Sequence, residues 1–253
     1  MKIVVIGGSG LIGSRVVGRL RQGGHDVVAA SPSTGVNTVS GDGLPEAMEG
    51  TEVVVDVANS PSFDSAVAWD FFFNSGHNLF AAENAAGVRH HIALSVVGTE
   101  QLLDSGYFRA KLLQEQLVQE SGLPYTILRA TQFFEFINGI AGFSTADQVV
   151  RLPPALAQPV AADDVAETLA QIALRAPANG TVELAGPEPY RLSDVVGRVL
   201  AVNHDERLVI ADRQAGYFGV HIGERTLVPA GEHPYIGTIS LDEWLARSRV
   251  AAA

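Results

Sequence analysis

The sequence predicts an α/β fold, a doubly wound parallel sheet with a small C-terminal lobe, and three observations predict it. Short β-branched apolar runs recur through the first half, as strands buried on both faces require. Between them lie longer stretches with apolar residues at helical spacing, so strand and helix alternate. A glycine cluster at residues 7–13 falls directly between the first strand and the first helix.

The elements follow in order. Residues 2–6 are a β-branched strand. Leu11, Ile12, Val16, Val17 and Leu20 then recur at helical spacing until Gly23-Gly24 stops the helix. Residues 27–30 read as the second strand and 51–57 as the third, after a connection containing Gly41-Asp42-Gly43. Residues 66–86 read as a long helix ending at Gly87, and 91–95 as the next strand. An amphipathic helix at 108–120 stops at Gly122, and residues 125–129 form another strand. Beyond Thr131 the rhythm loosens. Strands are predicted at 149–152 and 181–185, and helices at 192–202 and near 241–247. Asp163-Asp164 reads as the cap of a helix running to about residue 174. With no repeat or long linker, residues 1–253 read as one domain. Its core is about 1–131 plus 155–186, and 132–154 with 187–253 form a small substrate lobe.

Composition narrows the function. The chain is 47% hydrophobic and 18% charged, enough for a sizeable core. Cysteine is absent, which removes disulfides, thiolate metal sites and cysteine nucleophiles. A net charge of −11 repels phosphate backbones and argues against direct nucleic-acid binding. No secretory leader and no run of roughly 20 apolar residues is present, so the expectation is a soluble, cytoplasmic protein without a membrane role. His90-His91 stands at a strand start, where adjacent side chains point to opposite faces; the pair cannot chelate one metal, no metal site is expected, and a loop or surface role is.

The glycine loop carries the sharpest signal. Gly7, Gly8, Ser9, Gly10, Leu11, Ile12 and Gly13 supply the tight turn and close backbone approach that a pyrophosphate needs, ahead of helix N-terminal amides. An NAD site places a carboxylate about 20 residues further on, against the ribose hydroxyls. Here the second strand ends in Ser31, Ser33 and Thr34, hydroxyls that can donate to a 2′-phosphate, so NADP(H) is expected over NAD(H).

Tyr107 and Lys111 lie one helical turn apart on one face. A cation there lowers a phenol's pKa toward the range useful for proton transfer, and the same lysine can reach a nicotinamide ribose. Given five tyrosines in 253 residues, chance puts one four places before Lys111 about 2% of the time, so the pair counts as a signal. Ser95 ends a predicted strand twelve positions earlier, where a hydroxyl can hold a carbonyl oxygen. Phe133 and Phe134, with Phe136, Tyr217 and Phe218, either line an apolar pocket for a planar substrate or form core.

Together GGSGLIG (7–13), DVANSP (56–61), HHIALSVVG (90–98), YFRAK (107–111), LRATQFFEF (128–136) and PVAADDVAETL (159–169) resemble the Rossmann-type short-chain dehydrogenase/reductase superfamily, nearest its atypical NmrA-like branch. That resemblance implies Tyr107 as general acid, Lys111 as its support and ribose ligand, and Ser95 as the residue orienting the carbonyl. It also implies Asp42 near the adenine, Ala58 and Asn59 near the middle of the cofactor, and the backbone of Ala130 and Thr131 at the carboxamide. The sequence departs from the pattern at Phe72, where extended-type relatives often carry an active-site asparagine, and at Ala130, where many have proline. The expected activity is NADPH-dependent reduction of a carbonyl, quinone or similar small planar acceptor. Alternatives are a non-catalytic NADP(H)-sensing regulatory protein and an epimerase or dehydratase that recycles bound cofactor. The oligomeric state stays open.

Overall fold

The computed structural model describes the backbone of residues 1–251 and the side chains of residues 1–248. Strands and helices alternate as β1 (Lys2–Ile6), α1 (Leu11–Gln22), β2 (Asp26–Ala30), α2 (Leu44–Met48), β3 (Val53–Asp56), α3 (Ser65–Ala86), β4 (His90–Val96), α4 (Gly106–Glu120) and β5 (Tyr125–Ala130). The chain continues with α5 (Ile137–Phe143), β6 (Thr145–Ala146), β7 (Val149–Leu152), β8 (Leu156–Ala157), α6 (Ala162–Ala173) and β9 (Gly180–Ala185). It ends with β10 (Tyr190–Arg191), α7 (Leu192–Val202), β11 (Leu208–Ala211), β12 (Tyr235–Ile236) and α8 (Leu241–Ala251). Among the described residues no helix is long and apolar enough to cross a membrane.

A seven-stranded sheet has the order β12-β9-β5-β4-β3-β1-β2, and its β1–β2, β1–β3, β3–β4 and β9–β12 pairings are parallel. The register puts Ile6, Ala30, Asp56 and Ala93 in one row, so the residues just past them share the carboxyl edge. The strand order reverses at β1, with β2 on one side and β3 on the other, and such a switch point opens a crevice for a ligand.

The chain divides into two compact units, the first made of Met1–Ser95, Gly106–Arg129 and Val165–Val182. Val4, Ile6, Leu44, Met48, Val54, Leu79 and Val88 form one of its core clusters; Phe80, Ala93, Val118, Leu123 and Ile127 form another. Fully burying side chains of this size contributes about 1.5–3 kcal/mol each. Helix α3 starts where the Asp64 carboxylate accepts the amides of Ala66 and Val67, and stops at Gly87, whose φ of 72° is left-handed.

His90 and His91 belong to this interior, which corrects the loop or surface role expected for them: β4 is a central strand and both its faces are covered. As strand alternation requires, they point apart, His90 Nε2 to Thr126 Oγ1 (2.9 Å) and His91 Nδ1 to Glu83 Oε1 (2.9 Å). Burial raises the Glu83 pKa. It pulls His91 down, but the charge and hydrogen bond of Glu83 together with the charge of Asp56 outweigh that, and His91 also ends above its usual value.

The second unit comprises Val96–Ser105, Ala130–Asp164 and Glu183–Ala253. It holds a β11-β7-β6 sheet and a β10-β8 pair, against which α7 buries Leu192, Val195, Val196, Val199 and Leu200. Residues 96–105, 155–164 and 183–186, which the sequence reading gave to the core, belong to this unit. Asp163 and Asp164 lie inside the first turn of α6 and are not its cap. Asp164 instead accepts Thr238 Oγ1–H (3.1 Å) and the Ile239 amide (2.9 Å), while Glu135 accepts the amide of Ala162 at the helix start (3.1 Å).

Candidate functional site

The site is built where β1 and β3 end. Gly7 has φ +77°, and a Cβ on it would stand 3.0 Å from the backbone of Ala58, so only glycine lets the two strand ends approach. Gly8 is equally confined, since a Cβ would meet Ala29 Cα at 2.7 Å, and at Gly13 a Cβ would overlap the Gly7 carbonyl oxygen at 2.1 Å. Gly10 differs. It is exposed, has extended backbone (φ −79°, ψ −178°), and a Cβ there would meet just the Gly7 oxygen, at 3.3 Å. Its freedom is unused by the protein's own packing. Gly10 also precedes α1 as an N-cap with no side-chain hydrogen bond, and the first turn holds no acidic residue. Amides with no side-chain cap behind an open glycine fit a pyrophosphate. Ser9 and Leu11 are exposed beside Gly10, while Ile12 is buried in support of the loop.

Past β2, the hydroxyls of Ser31, Ser33 and Thr34 meet one another. Ser31 Oγ lies 2.9 Å from Ser33 Oγ and 3.3 Å from Thr34 Oγ1, and Thr34 Oγ1 accepts the Ser31 amide (2.9 Å). Ser31 is buried, Ser33 and Thr34 are exposed, and the turn contains no carboxylate. Asp42 is also exposed, and its carboxylate accepts the Ser40 hydroxyl (2.6 Å).

Tyr107 enters from the start of α4. A Cβ on Gly106 would fall 1.7 Å from Ser65 Oγ, so glycine is what allows α4 to begin flush against the first residue of α3. The phenol lies among Phe63, Phe72 and Phe108, with ring centroids 4.8, 6.4 and 5.4 Å away. Its hydroxyl donates to Asn59 Oδ1 (2.9 Å). Asn59 follows Ala58, which backs onto Gly7, so the glycine loop and the phenol lie two residues apart through this one strand end.

Lys111 does not complete the pair that the sequence suggested. Its ammonium donates to Leu94 O (2.8 Å) and to Gln114 Oε1, and lies over the Phe72 ring at 4.8 Å. Gln114 in turn donates to Asp56 Oδ2 (3.0 Å). Burial lowers the Lys111 pKa to about 8, against the opposing charges of Asp56 and Glu115. The expected lowering of the phenol is therefore reversed: burial pushes Tyr107 up to about 12. Ser95 is buried and donates to Glu115 Oε1 (2.5 Å), a carboxylate also paired with Arg129 (2.6 Å). In this arrangement the Ser95 hydroxyl is committed inward, not to the phenol.

Ala130 and Thr131 belong to the second unit, where both are buried and Thr131 Oγ1 donates to Gln158 O (2.6 Å). In the same unit Phe134 is 1% exposed and lies against Trp244 at 5.5 Å, a core position, whereas Phe133 is half-buried and bridges to Val160. The sequence reading missed Phe63 and the Tyr107–Asn59 bond. The available signal was topological: residues 57–64 leave β3 at the carboxyl edge, beside the switch point.

Comparisons with known proteins bear on the family and the fold. A model of a family described as NAD(P)H-binding matches residues 7–176. The chain is 25% identical over 214 residues to the photosystem II assembly factor Ycf39 of Cyanophora paradoxa, covering 78% of this chain and 67% of that one. It is 33% identical over 146 residues to a (4-alkanoyl-5-oxo-2,5-dihydrofuran-3-yl)methyl phosphate reductase of Streptomyces griseus, over 52% of this chain and 48% of the relative. Apart from the Cyanophora protein, the matched curated relatives are spanned over about half their length. Among solved structures, the fold is similar to MoeE5 in complex with UDP-glucose and NAD (TM-score 0.74, 16% identity, all of both chains). It is also similar to dTDP-4-dehydrorhamnose reductase of Bacillus anthracis in complex with NADP (TM-score 0.72, 12% identity, 100% and 99% of the chains).

Proposed function

The chain belongs to this NAD(P)H-binding, NmrA-like family, and from that premise we propose that it is a reductase that uses NADPH to reduce a carbonyl, quinone or similar planar acceptor. The observation that carries the reading is the run Gly7–Ala58–Asn59–Tyr107, which joins an open glycine loop to a phenol within one unit. When bound, the nicotinamide supplies the hydride. The glycine loop and the amides of α1 hold the pyrophosphate, and Ser31, Ser33 and Thr34 leave room for a 2′-phosphate that a carboxylate would repel. Tyr107, kept neutral by burial, gives its proton to the oxyanion that develops on the acceptor, becomes phenolate and is reprotonated from solvent. The half-exposed Phe63 beside the phenol favours an apolar, planar acceptor.

NADPH oxidation in the presence of quinones and aromatic ketones, with wild-type protein and Tyr107→Phe, tests this. General acid catalysis contributes about 10²–10⁴-fold, so Tyr107→Phe should lose turnover on that scale while NADPH affinity barely changes. Full turnover in Tyr107→Phe would remove the phenol from the mechanism. A second reading, a non-catalytic NADP(H)-responsive protein, is favoured by the inward contacts of Lys111 and Ser95. It predicts cofactor binding with no NADPH consumption for any acceptor. An epimerase or dehydratase would likewise show no net consumption, but would convert its substrate.

A further inference from the structure

Tyr107 has an accounting problem that the proposed reaction exposes. Once the proton leaves, a negative charge sits on a buried phenol whose ring packs among Phe63, Phe72 and Phe108, where a poorly solvated phenolate is costly. The nearest candidate cation, Lys111, is engaged elsewhere: its donors face Leu94 O and Gln114, and its charge rests on the Phe72 ring. Ser95 donates to Glu115. Among the described residues the hydrogen-bond partner of the phenol is Asn59.

An asparagine amide carries an acceptor and a donor on one carbon, and its terminal torsion is soft, so a turn about that bond exchanges Oδ1 for Nδ2–H at the same place. Asn59 is exposed, which leaves the turn sterically open. We propose that Asn59 is the positioning residue of Tyr107, accepting its O–H in the resting protein and donating Nδ2–H to the phenolate after proton transfer, in place of a lysine. The proposal rests on the reading of Tyr107 as proton donor. In the step, the acceptor carbon would take the hydride that bound NADPH supplies, leaving NADP⁺, as the C=O π pair moves to the oxygen. The Tyr107 O–H bond breaks as the product O–H forms, and the charge left on Tyr107 takes the Asn59 hydrogen bond until solvent returns a proton.

The sign of one shift decides it. An amide that donates to the phenolate lowers the Tyr107 pKa, so removing it raises that pKa; an amide that only accepts from the neutral phenol does the reverse. The protein labelled with 3,5-difluorotyrosine, whose phenols ionise at lower pH, is titrated by fluorine NMR without cofactor, and the Tyr107 signal is assigned by its loss in Tyr107→Phe. Asn59→Leu and Asn59→Ala each remove both functions of the amide without adding a charge. Both should raise the Tyr107 pKa by about 1, the scale of a hydrogen bond to a charged group. An unchanged or lowered value in either folded variant overturns the proposal, and should Asn59→Leu fail to fold, Asn59→Ala carries the comparison. With an acceptor in hand, Asn59→Ala should lower kcat about tenfold; an unaltered kcat overturns the proposal too. The titration needs no turnover. Failure to find an acceptor therefore counts against the reductase reading, while the pKa shift judges Asn59 separately.

Discussion

Substituting the glycines at 10 and 13 separates what the loop does for a ligand from what it does for the fold. A Cβ at Gly10 meets one atom, the Gly7 oxygen at 3.3 Å, and the backbone there is already in the extended region that valine prefers. Gly10→Val should therefore fold with little loss of stability. Its side chain would occupy the space in front of the first-turn amides of α1, and should weaken NADPH binding at least tenfold, about 1.4 kcal/mol. Gly13→Ala is the opposite case. Within a helix alanine gains roughly 1 kcal/mol over glycine. Here its Cβ would lie 2.1 Å from Gly7 O, 2.7 Å from Gly7 C and 2.8 Å from Gly8 Cα, all backbone atoms that cannot swing aside. Overpacking of that kind costs about 1–3 kcal/mol or more, so the net effect should be a loss, and each kcal/mol lowers Tm by about 2–4 °C at this size. Calorimetric titration with NADPH and thermal melts read the two variants. A folded Gly10→Val with wild-type affinity would refute the assignment of the loop, and a Gly13→Ala that melts at or above the wild-type temperature would refute the packing argument.

Ser31→Asp should repel a 2′-phosphate and shift preference from NADP toward NAD; equal affinities for both cofactors in the unmodified protein would contradict the preference. His90 gives a pH signature. Burial lowers its folded pKa to about 4 from the usual 6.5, so below pH 6.5 the unfolded chain takes up the proton first. Stability should fall as pH drops from about 6.5 to about 4, by up to about 3 kcal/mol, and this contribution should level off outside that window. Urea melts of wild type and His90→Gln should diverge over that range, and parallel curves would show that His90 does not titrate as its burial implies.

How far the sequence could be read depended on whether a feature is local. Residues 7–13 between a β-branched strand and an amphipathic helix disclose their conformation at short range, because turn, strand and helix signals reinforce one another. Spacing also placed Tyr107 and Lys111 on one helix, correctly, but not the direction of the ammonium. That direction is set by Asp56, Leu94 and Gln114, partners brought in from β3, β4 and the next turn of α4. His90 and His91 read as peripheral from their place at a strand start, and are interior because β4 lies in the middle of the sheet. Asp163-Asp164 has the composition of a helix cap, yet the cap is supplied across sequence by Glu135, a contact no local pattern records. Phe63 went unnoticed for the same reason: its partner Tyr107 is 44 positions away and adjacent only after folding.

The glycine at 106 has a consequence for how this protein can change over time. Two helices of the first unit start against one another at a point where no methyl group fits, so the spacing of that seam is fixed by a missing atom. A side chain at 106 would lever the beginning of α4 away from Ser65 and carry Tyr107 with it, while the loop at residues 7–13, anchored through Gly7 and Ala58, would stay where it is. On the proposed reading, a lineage, or an engineer, can retune proton delivery at this one position while leaving the glycine loop where it is.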